Sequence, residues 1–220
     1  MILSRKEGEL LSRVERAWEG RTVVCMATGP SLTAAQVEVV RSSRAPSIAV
    51  NDAYLLAPFA DVLYFADVKW QKWHKDRAEF KAFAGQRCSI FLGVDLKLGG
   101  VHLLKQASHM GLSTDPGAIC TGSNSGYQAI NIAVLAGAKR IILIGYDAQP
   151  TGGKQHFFGE HPDRSHAPYD VIRHRFADLV EPTKKLGVEI LNATPGSSIA
   201  CFPKVNLAES LEPRPNPAVV

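Results

Sequence analysis

Arg140-Ile-Ile-Leu-Ile-Gly145 decides the fold class, because four consecutive apolar residues lie between a charge and a glycine. A short apolar run rich in isoleucine predicts a strand buried on both faces, as in a parallel sheet. Residues 125–136 before it have the pattern of a helix, and residues 168–186 after it predict another helix, bent near Pro182. We therefore expect helices to connect this strand to its neighbours.

The same alternation runs through the rest of the chain. Apolar runs predict strands over residues 22–27, 47–50, 61–66, 88–92 and 188–191, and helical periodicity predicts helices over 33–44 and 68–83. Strands separated by helices imply crossover connections. We therefore predict a single α/β domain with a Rossmann-like, doubly wound and mostly parallel sheet. The glycines and prolines of residues 93–120 predict an irregular segment there.

The two ends of the chain differ from this pattern. Leu3, Leu10, Leu11, Val14 and Trp18 fall on one stripe at helical spacing, which predicts an N-terminal amphipathic helix within residues 1–20. The α/β domain then occupies residues 21–211. The segment 212–220 contains three prolines and is expected to be a flexible, Pro-rich tail.

Composition excludes several classes of protein. The 220 residues are 45% hydrophobic and 21% charged, which is ordinary globular usage and excludes a disordered or collagen-like chain. The four cysteines stand far apart with no C-x-x-C pair, as expected for free thiols in a reducing cytoplasm. No apolar run is long enough for a membrane span, so we predict a cytoplasmic protein. The net charge of +4 suits an anionic small molecule and gives no strong signal for nucleic acid.

Four polar loops are expected to meet at one edge of the sheet. They cover residues 28–33, 51–54, 120–126 and 145–166, and each follows a predicted strand or opens a predicted helix. Doubly wound folds bind ligands outside the carboxyl ends of their strands. The candidate site residues are therefore sought in these loops.

The first loop, Thr28-Gly29-Pro30-Ser31, lies between a buried strand and a helix. Gly29 allows close approach of a ligand to the backbone, and the free N–H groups of the following helix favour an anion such as phosphate. Pro30 and Ser31 are also ordinary residues at a helix start. The loop is neither a G-x-G-x-x-G motif nor a Walker loop, so those two nucleotide-binding motifs have no support.

A second loop of the same kind, Thr121-Gly-Ser-Asn-Ser-Gly126, opens the helix before the main strand. Ser123 or Asn124 is suited to cap that helix. Two such turns in one sheet suit a nucleotide, because one can hold the phosphate and the other the ribose or base. Asn51, which ends the second predicted strand, is able to bind a base or sugar edge or to serve as a turn residue.

The third cluster follows the main strand. Asp147 stands where doubly wound folds place catalytic or metal-binding carboxylates, and His156, His161 and His166 lie within eleven residues of loop. Histidine titrates near neutral pH, so general-base and metal-ligand roles are both open. The spacing matches no zinc template, while Glu160 with Asp147 is able to hold a magnesium ion carried in by phosphates.

In chain order these motifs resemble those of the hydroxymethylpterin diphosphokinase-like family, which includes flagellin-modifying accessory proteins. The resemblance runs from about residue 22 to 210. More distantly, the order is similar to that of bacterial sialyltransferases that use CMP-sialic acid without metal. The compact form with a Gly-Glu-His-Pro loop also resembles phage-encoded members. The motifs that carry the resemblance are Gly29-Pro-Ser-Leu32, Asn51, Ser125-Gly126, Ala138-Lys-Arg-Ile-Ile-Leu-Ile-Gly-Tyr-Asp147 and Gly153-Lys-Gln-His156.

The sialyltransferase resemblance implies that Gly29, Asn51 and Ser125 contact a cytidine nucleotide and that Gly145 lines the same cleft. It also implies a histidine of the long loop as general base, with His166 the nearest positional match. Two departures stand out: Thr28 replaces an asparagine, and residues 148–165 contain no tyrosine to steady the leaving phosphate. The diphosphokinase-like resemblance instead implies ATP with magnesium.

Together, these observations predict that residues 21–211 form a nucleotide-binding transferase domain. The first expectation is glycosyl transfer from a CMP-activated sugar to a hydroxyl acceptor, with Lys154 and His156 steadying the phosphate and His166 or His161 as base. The alternatives are a Mg-ATP-dependent diphosphokinase acting on a pterin-like alcohol, assisted by Asp147 and Glu160, and a non-catalytic nucleotide-binding or structural phage protein. The expected nucleotide contacts are Thr28, Gly29, Pro30, Ser31, Asn51, Asp67, Ser123, Asn124, Ser125, Gly126, Gly145 and Tyr146.

Overall fold

The computed structural model describes residues 1–91, 99–162 and 168–211. The strands in these ranges are β1 (Leu3–Ser4), β2 (Arg13–Val14), β3 (Thr22–Met26), β4 (Ser47–Val50), β5 (Val62–Tyr64), β6 (Gln86–Ile90), β7 (Val101–Gln106), β8 (Ala118–Ile119), β9 (Arg140–Ile144) and β10 (Glu189–Asn192). The helices are α1 (Ala34–Ser43), α2 (Val68–His74), α3 (Ala78–Ala82), α4 (Ser125–Leu135), α5 (Tyr169–Ala177), α6 (Val180–Lys185) and α7 (Leu207–Leu211), with a 3-10 turn over Asn51–Leu55.

The main sheet confirms the predicted α/β architecture. Its strand order is β10-β9-β3-β4-β5-β6-β7-β8, and each neighbouring pair is parallel. The chain builds outward from β3 to β8 and then returns to the other side of β3 as β9 and β10. The strand order therefore reverses between β3 and β9, and this reversal is the switch point at which doubly wound folds form their ligand crevice.

Helices cover both faces of this sheet with apolar side chains. Tyr127 of α4 and Phe176 of α5 pack on one face, while Val37 of α1 and Trp70 of α2 pack on the other. Burying each large apolar side chain stabilises the fold by roughly 1.5–3 kcal/mol. Because β3 leads to α1 on one face and β9 leads to α5 on the other, the two loops diverge and leave the crevice open between them.

The predicted N-terminal helix within residues 1–20 is wrong. The segment is extended, and β1 pairs with β2 in an antiparallel ribbon in which Leu3 is opposite Val14. The Gln86 side chain of β6 fixes it to the sheet, because Oε1 accepts from the N–H groups of Ile2 and Leu3 at 2.8 and 3.0 Å. The apolar stripe reflects separate tertiary contacts, since Leu3 and Val14 are buried while Leu10 is exposed.

Two other predictions need correction. The irregular segment expected over residues 93–120 contains β7 and β8, which extend the sheet. The helix expected over 68–83 is divided into α2 and α3, whereas the bend expected near Pro182 is present as the break between α5 and α6. The tail 212–220 lies outside the described residues. No helix in the described ranges is long and apolar enough to cross a membrane.

Candidate functional site

The crevice between β3 and β9 contains a cavity of about 100 Å³. Its lining comes from the ends of β3 and β9, the starts of α4 and α5, and the loop of residues 148–162. The loops after β3 and β9 and before α4 thus meet at the carboxyl edge, as the fold predicts. The candidate residues that line this first cavity are Thr28, Gly29, Asn124, Gly145, Tyr146, Asp147 and His156.

Asp147 joins the two sides of the switch point. Its side chain is buried at the end of β9, where Oδ1 accepts from the Ser31 N–H at 3.1 Å and Oδ2 accepts from the Ser31 hydroxyl at 2.8 Å. The Thr151 hydroxyl donates to Oδ1 at 3.4 Å. Burial raises the pKa of Asp147, although the hydrogen bonds from Ser31 and Thr151 oppose the shift. Asp147 therefore occupies the Ser31 donors that the sequence suggested for a bound anion.

Gly29 is a glycine for a different reason from the one expected. A Cβ on Gly29 would lie 1.9 Å from Asp147 Oδ2 and 2.5 Å from the Gly145 carbonyl oxygen. The Gly29 N–H donates to that carbonyl at 2.8 Å. The protein itself fills the space in front of Gly29, so this glycine permits loop packing and does not admit a ligand. Pro30 and Ser31 lead to Thr33, which caps α1.

The second turn positions α4 at the first cavity. Asn124 caps this helix, because its Oδ1 accepts from the Tyr127 N–H at 3.1 Å. Ser123 is exposed with a left-handed backbone (φ 54°), and Ser125 is half-buried in the first turn. Gly126 contacts Tyr146, whose hydroxyl donates to the Gly126 carbonyl at 3.1 Å. The N-terminus of α4 therefore reaches the first cavity through Asn124, whose side chain already accepts the Tyr127 N–H.

His156 attaches the 148–162 loop to the end of β3. Its Nδ1 lies 3.1 Å from the Thr28 hydroxyl oxygen, and the Phe157 N–H donates to the Thr28 carbonyl at 3.0 Å. Burial, together with the nearby His161, lowers the pKa of His156 to about 4. The imidazole is therefore neutral at neutral pH and presents one N–H donor and one acceptor nitrogen.

The low pKa of His156 predicts a loss of stability in acid. The unfolded chain binds a proton on this residue near pH 6.5, whereas the folded chain binds it only near pH 4, so stability falls as the pH drops between these values. Because the side chain is partly exposed, we expect a contribution of about 1–2 kcal/mol. Urea unfolding of the wild type and of His156→Phe at a series of pH values measures it. If the free energy of unfolding changed equally with pH in the two proteins, the burial of a neutral imidazole would be contradicted.

A second cavity, of about 330 Å³, lies beside the first. The rings of His156 and His161 connect the two, since His156 lines the first, His161 lines the second, and their centroids are 4.5 Å apart. His161 also stacks on Trp73, with ring centroids at 5.5 Å. The residues that line this second cavity are Asp52, Leu55, Trp73, His74, Arg77, Phe158, Glu160, His161 and Pro162.

A buried polar cluster forms the floor of the second cavity. Asp52 Oδ1 lies 3.1 Å from His74 Nε2, and Oδ2 accepts from Trp70 Nε1 at 2.6 Å. His74 Nδ1 lies 2.9 Å from the Tyr54 hydroxyl. Burial opposes ionisation of Asp52, but the hydrogen bonds from His74 and Trp70 outweigh it and lower its pKa. Sequence reasoning missed this cluster, and its only signal was an acidic residue two positions after the end of a strand.

The expected magnesium pair is not brought together. Asp147 lines the first cavity and Glu160 the second, and three hydrogen bonds already engage the Asp147 carboxylate. Over residues 1–91, 99–162 and 168–211, no three His, Cys, Asp or Glu side chains form a group that could hold a metal ion.

Two other candidate residues, Lys154 and Asp67, are not among the residues that line the two cavities. Lys154 is exposed and pairs with Thr151 in a short bridge. Asp67 is exposed and caps α2. His166 falls outside the described residues.

Two buried oxygen atoms lack a hydrogen-bond partner within the described part of the chain. They are Asn51 Oδ1 and the Tyr169 hydroxyl, and Tyr169 lines the first cavity. Asn51 also has a left-handed backbone (φ 48°), which is uncommon for residues other than glycine although asparagine tolerates it. Buried polar atoms normally have partners, so a ligand in the first cavity would be able to supply one to Tyr169, whereas Asn51 lines neither cavity.

Comparison of the chain with protein-family models, curated proteins and solved structures finds no match. The candidate site is therefore defined by its own residues and geometry.

Proposed function

We propose that this protein is a nucleotide-binding transferase that moves a sugar from a CMP-activated donor to a hydroxyl acceptor. The observation that carries the proposal is the meeting of Thr28, Asn124 and His156, from three separate segments, in one cavity at the switch point. This is the position at which doubly wound folds bind nucleotides. The resemblance to CMP-sialic acid sialyltransferases supports the choice of donor.

The chemistry follows from the character of the side chains. The acceptor oxygen bonds to the anomeric carbon, and its proton passes to His161. The bond between that carbon and the phosphate oxygen breaks, and the electron pair leaves with CMP. The α4 N-terminus, Thr28 and the neutral His156 supply hydrogen bonds to the departing phosphate. Preorganised donors of this kind are usually the largest contribution to catalysis.

The state of Asp147 favours sugar transfer over Mg-ATP-dependent diphosphate transfer. A magnesium ion bound with nucleotide phosphates takes carboxylate oxygens with free lone pairs. The Asp147 carboxylate already accepts from Ser31 and Thr151, and burial favours its neutral form. Breaking these bonds to bind magnesium would remove the Ser31 contacts and leave the loop after β3 joined to the end of β9 by backbone bonds such as that from Gly29 to Gly145.

Thermal unfolding with CMP, CDP, ATP or GTP, each with magnesium and with a chelator, tests the proposal. CMP at about 100 times its dissociation constant is expected to stabilise the protein by ~2.7 kcal/mol, or a rise in Tm of roughly 5–10 °C, irrespective of chelator. His156→Phe should lose most of this rise, and His174→Phe, at an exposed position on α5, should keep it. Release of CMP from CMP-sialic acid measures turnover.

Two outcomes would contradict sugar transfer. Stabilisation by ATP that the chelator abolishes would instead support the diphosphokinase. Absence of any nucleotide effect would support a non-catalytic protein.

A further inference from the structure

The two cavities differ in the size of the group that they admit. The first, at about 100 Å³, is well below the ~300 Å³ at which small-molecule pockets usually begin, whereas the second, at about 330 Å³, reaches it. A phosphate is small enough to suit the first cavity. The second is large enough for a heterocycle with part of an attached sugar. Of its lining residues, the proposed function uses only His161, whose ring borders the first cavity beside His156.

The walls of the second cavity combine flat apolar surface with two opposite charges. Trp73 and Phe158 supply aromatic rings, and Arg77 and Glu160 supply a guanidinium and a carboxylate. Arg77 lies near the Tyr54 hydroxyl, where it opposes the rise in the Tyr54 pKa that burial causes, and its guanidinium carries five N–H donors. The floor is rigid, because Asp52 and His74 are buried and paired with each other.

We infer that the second cavity binds a nucleobase. An aromatic ring stacks on any base, a guanidinium donates to ring and carbonyl acceptors, and a carboxylate accepts from an exocyclic amino group. Cytosine offers both edges, an amino group for Glu160 and ring acceptors for Arg77. The base belongs either to the nucleotide whose phosphate lies in the first cavity, an assignment that rests on the proposed function, or to a separate nucleoside.

Tryptophan fluorescence reports directly on the binding of a base in the second cavity. Trp18 and Trp70 are buried, while Trp73 is partly exposed at the cavity. Cytidine, which carries no phosphate, is therefore expected to quench the fluorescence of Trp73. Measured by calorimetry, Trp73→Phe should bind cytidine within about threefold of the wild type, and Trp73→Ala about tenfold more weakly, since stacking on an aromatic side chain contributes ~1–3 kcal/mol per base. Circular dichroism checks that both variants are folded.

A charge-neutral variant tests the recognition of the amino group. Glu160→Gln is expected to reduce the preference for cytidine over uridine about tenfold, because an amide is able to donate to the uracil carbonyl where a carboxylate is not. Glu181→Gln, on α6 and away from the cavity, should leave the preference unchanged.

Comparing the affinities for CMP and cytidine shows whether the base belongs to the nucleotide or to a separate nucleoside. If CMP binds more tightly than cytidine and His156→Phe removes the difference, one nucleotide spans both cavities. If CMP and cytidine bind equally and saturating inorganic phosphate leaves cytidine binding unchanged, the base belongs to a separate nucleoside and the proposed placement of the donor phosphate fails, while the base site stands. Absence of quenching by every common nucleoside, or equal cytidine binding by the wild type and folded Trp73→Ala, would overturn the inference.

Discussion

Gly29→Ala is expected to destabilise the protein by at least ~3 kcal/mol, because overpacking and strain are both imposed on a closed loop. The added Cβ would lie 1.9 Å from Asp147 Oδ2 and 2.5 Å from the Gly145 carbonyl oxygen. The carboxylate could rotate only by losing its hydrogen bonds from Ser31, and the carbonyl belongs to backbone that already accepts from Gly29. Equilibrium unfolding in urea, followed by circular dichroism, measures the loss.

Gly99→Ala provides the matched control. A Cβ there meets no atom within 4 Å, so this variant should unfold within about 0.5 kcal/mol of the wild type. The double variant of Gly29→Ala with Asp147→Ala should lose less stability than the two single variants lose together, because removing the carboxylate removes the closest clash. A Gly29→Ala protein as stable as the wild type would mean that the loop does not pack against Asp147.

The central strands of the fold could be predicted because their continuous apolar runs are typical of strands buried on both faces of a sheet. Residues 141–144 and 47–50 are continuous buried stretches, and both lie in predicted strands. The outer part of the sheet was harder to predict, since β7 follows two glycines and ends in two exposed residues, Lys105 and Gln106. The N-terminal segment was misleading because its helical spacing arises from separate contacts with the sheet. A one-dimensional pattern cannot show that the Gln86 side chain pairs with the backbone of Leu3.

The position of the candidate site in the fold could be predicted from the sequence better than the interactions within the site. Parallel strands bring their following loops to one edge, and on this basis the loops of Gly29, Asn124 and His156 were expected to meet there. What the sequence could not show is that Asp147 satisfies the Ser31 donors, or that Asp52 pairs with His74 across 22 residues of chain. Both depend on the burial of a particular carboxylate, which is a three-dimensional property.

Asp52→Asn is expected to cost about 3 kcal/mol of stability, and Asp52→Ala as much as ~5 kcal/mol. The carboxylate receives the Trp70 indole N–H and pairs with His74, and all three side chains are buried. An amide keeps the shape but turns an N–H₂ group toward one of these donors, and alanine leaves both without an acceptor. Asp76→Asn, at an exposed position 3.9 Å from Lys81, should cost less than ~0.5 kcal/mol.

Ligand binding separates the structural role of Asp52 from the chemistry of the cavity above it. Because its oxygens are engaged by His74 and Trp70, a folded Asp52→Asn protein should bind inorganic phosphate at the first cavity with unchanged affinity, while cytidine binding at the second weakens as its floor loosens. Calorimetry below the lowered Tm measures both affinities. A loss of stability under ~1 kcal/mol for Asp52→Ala would show that the buried pair does not form, because removing one partner of such a pair leaves the other uncompensated.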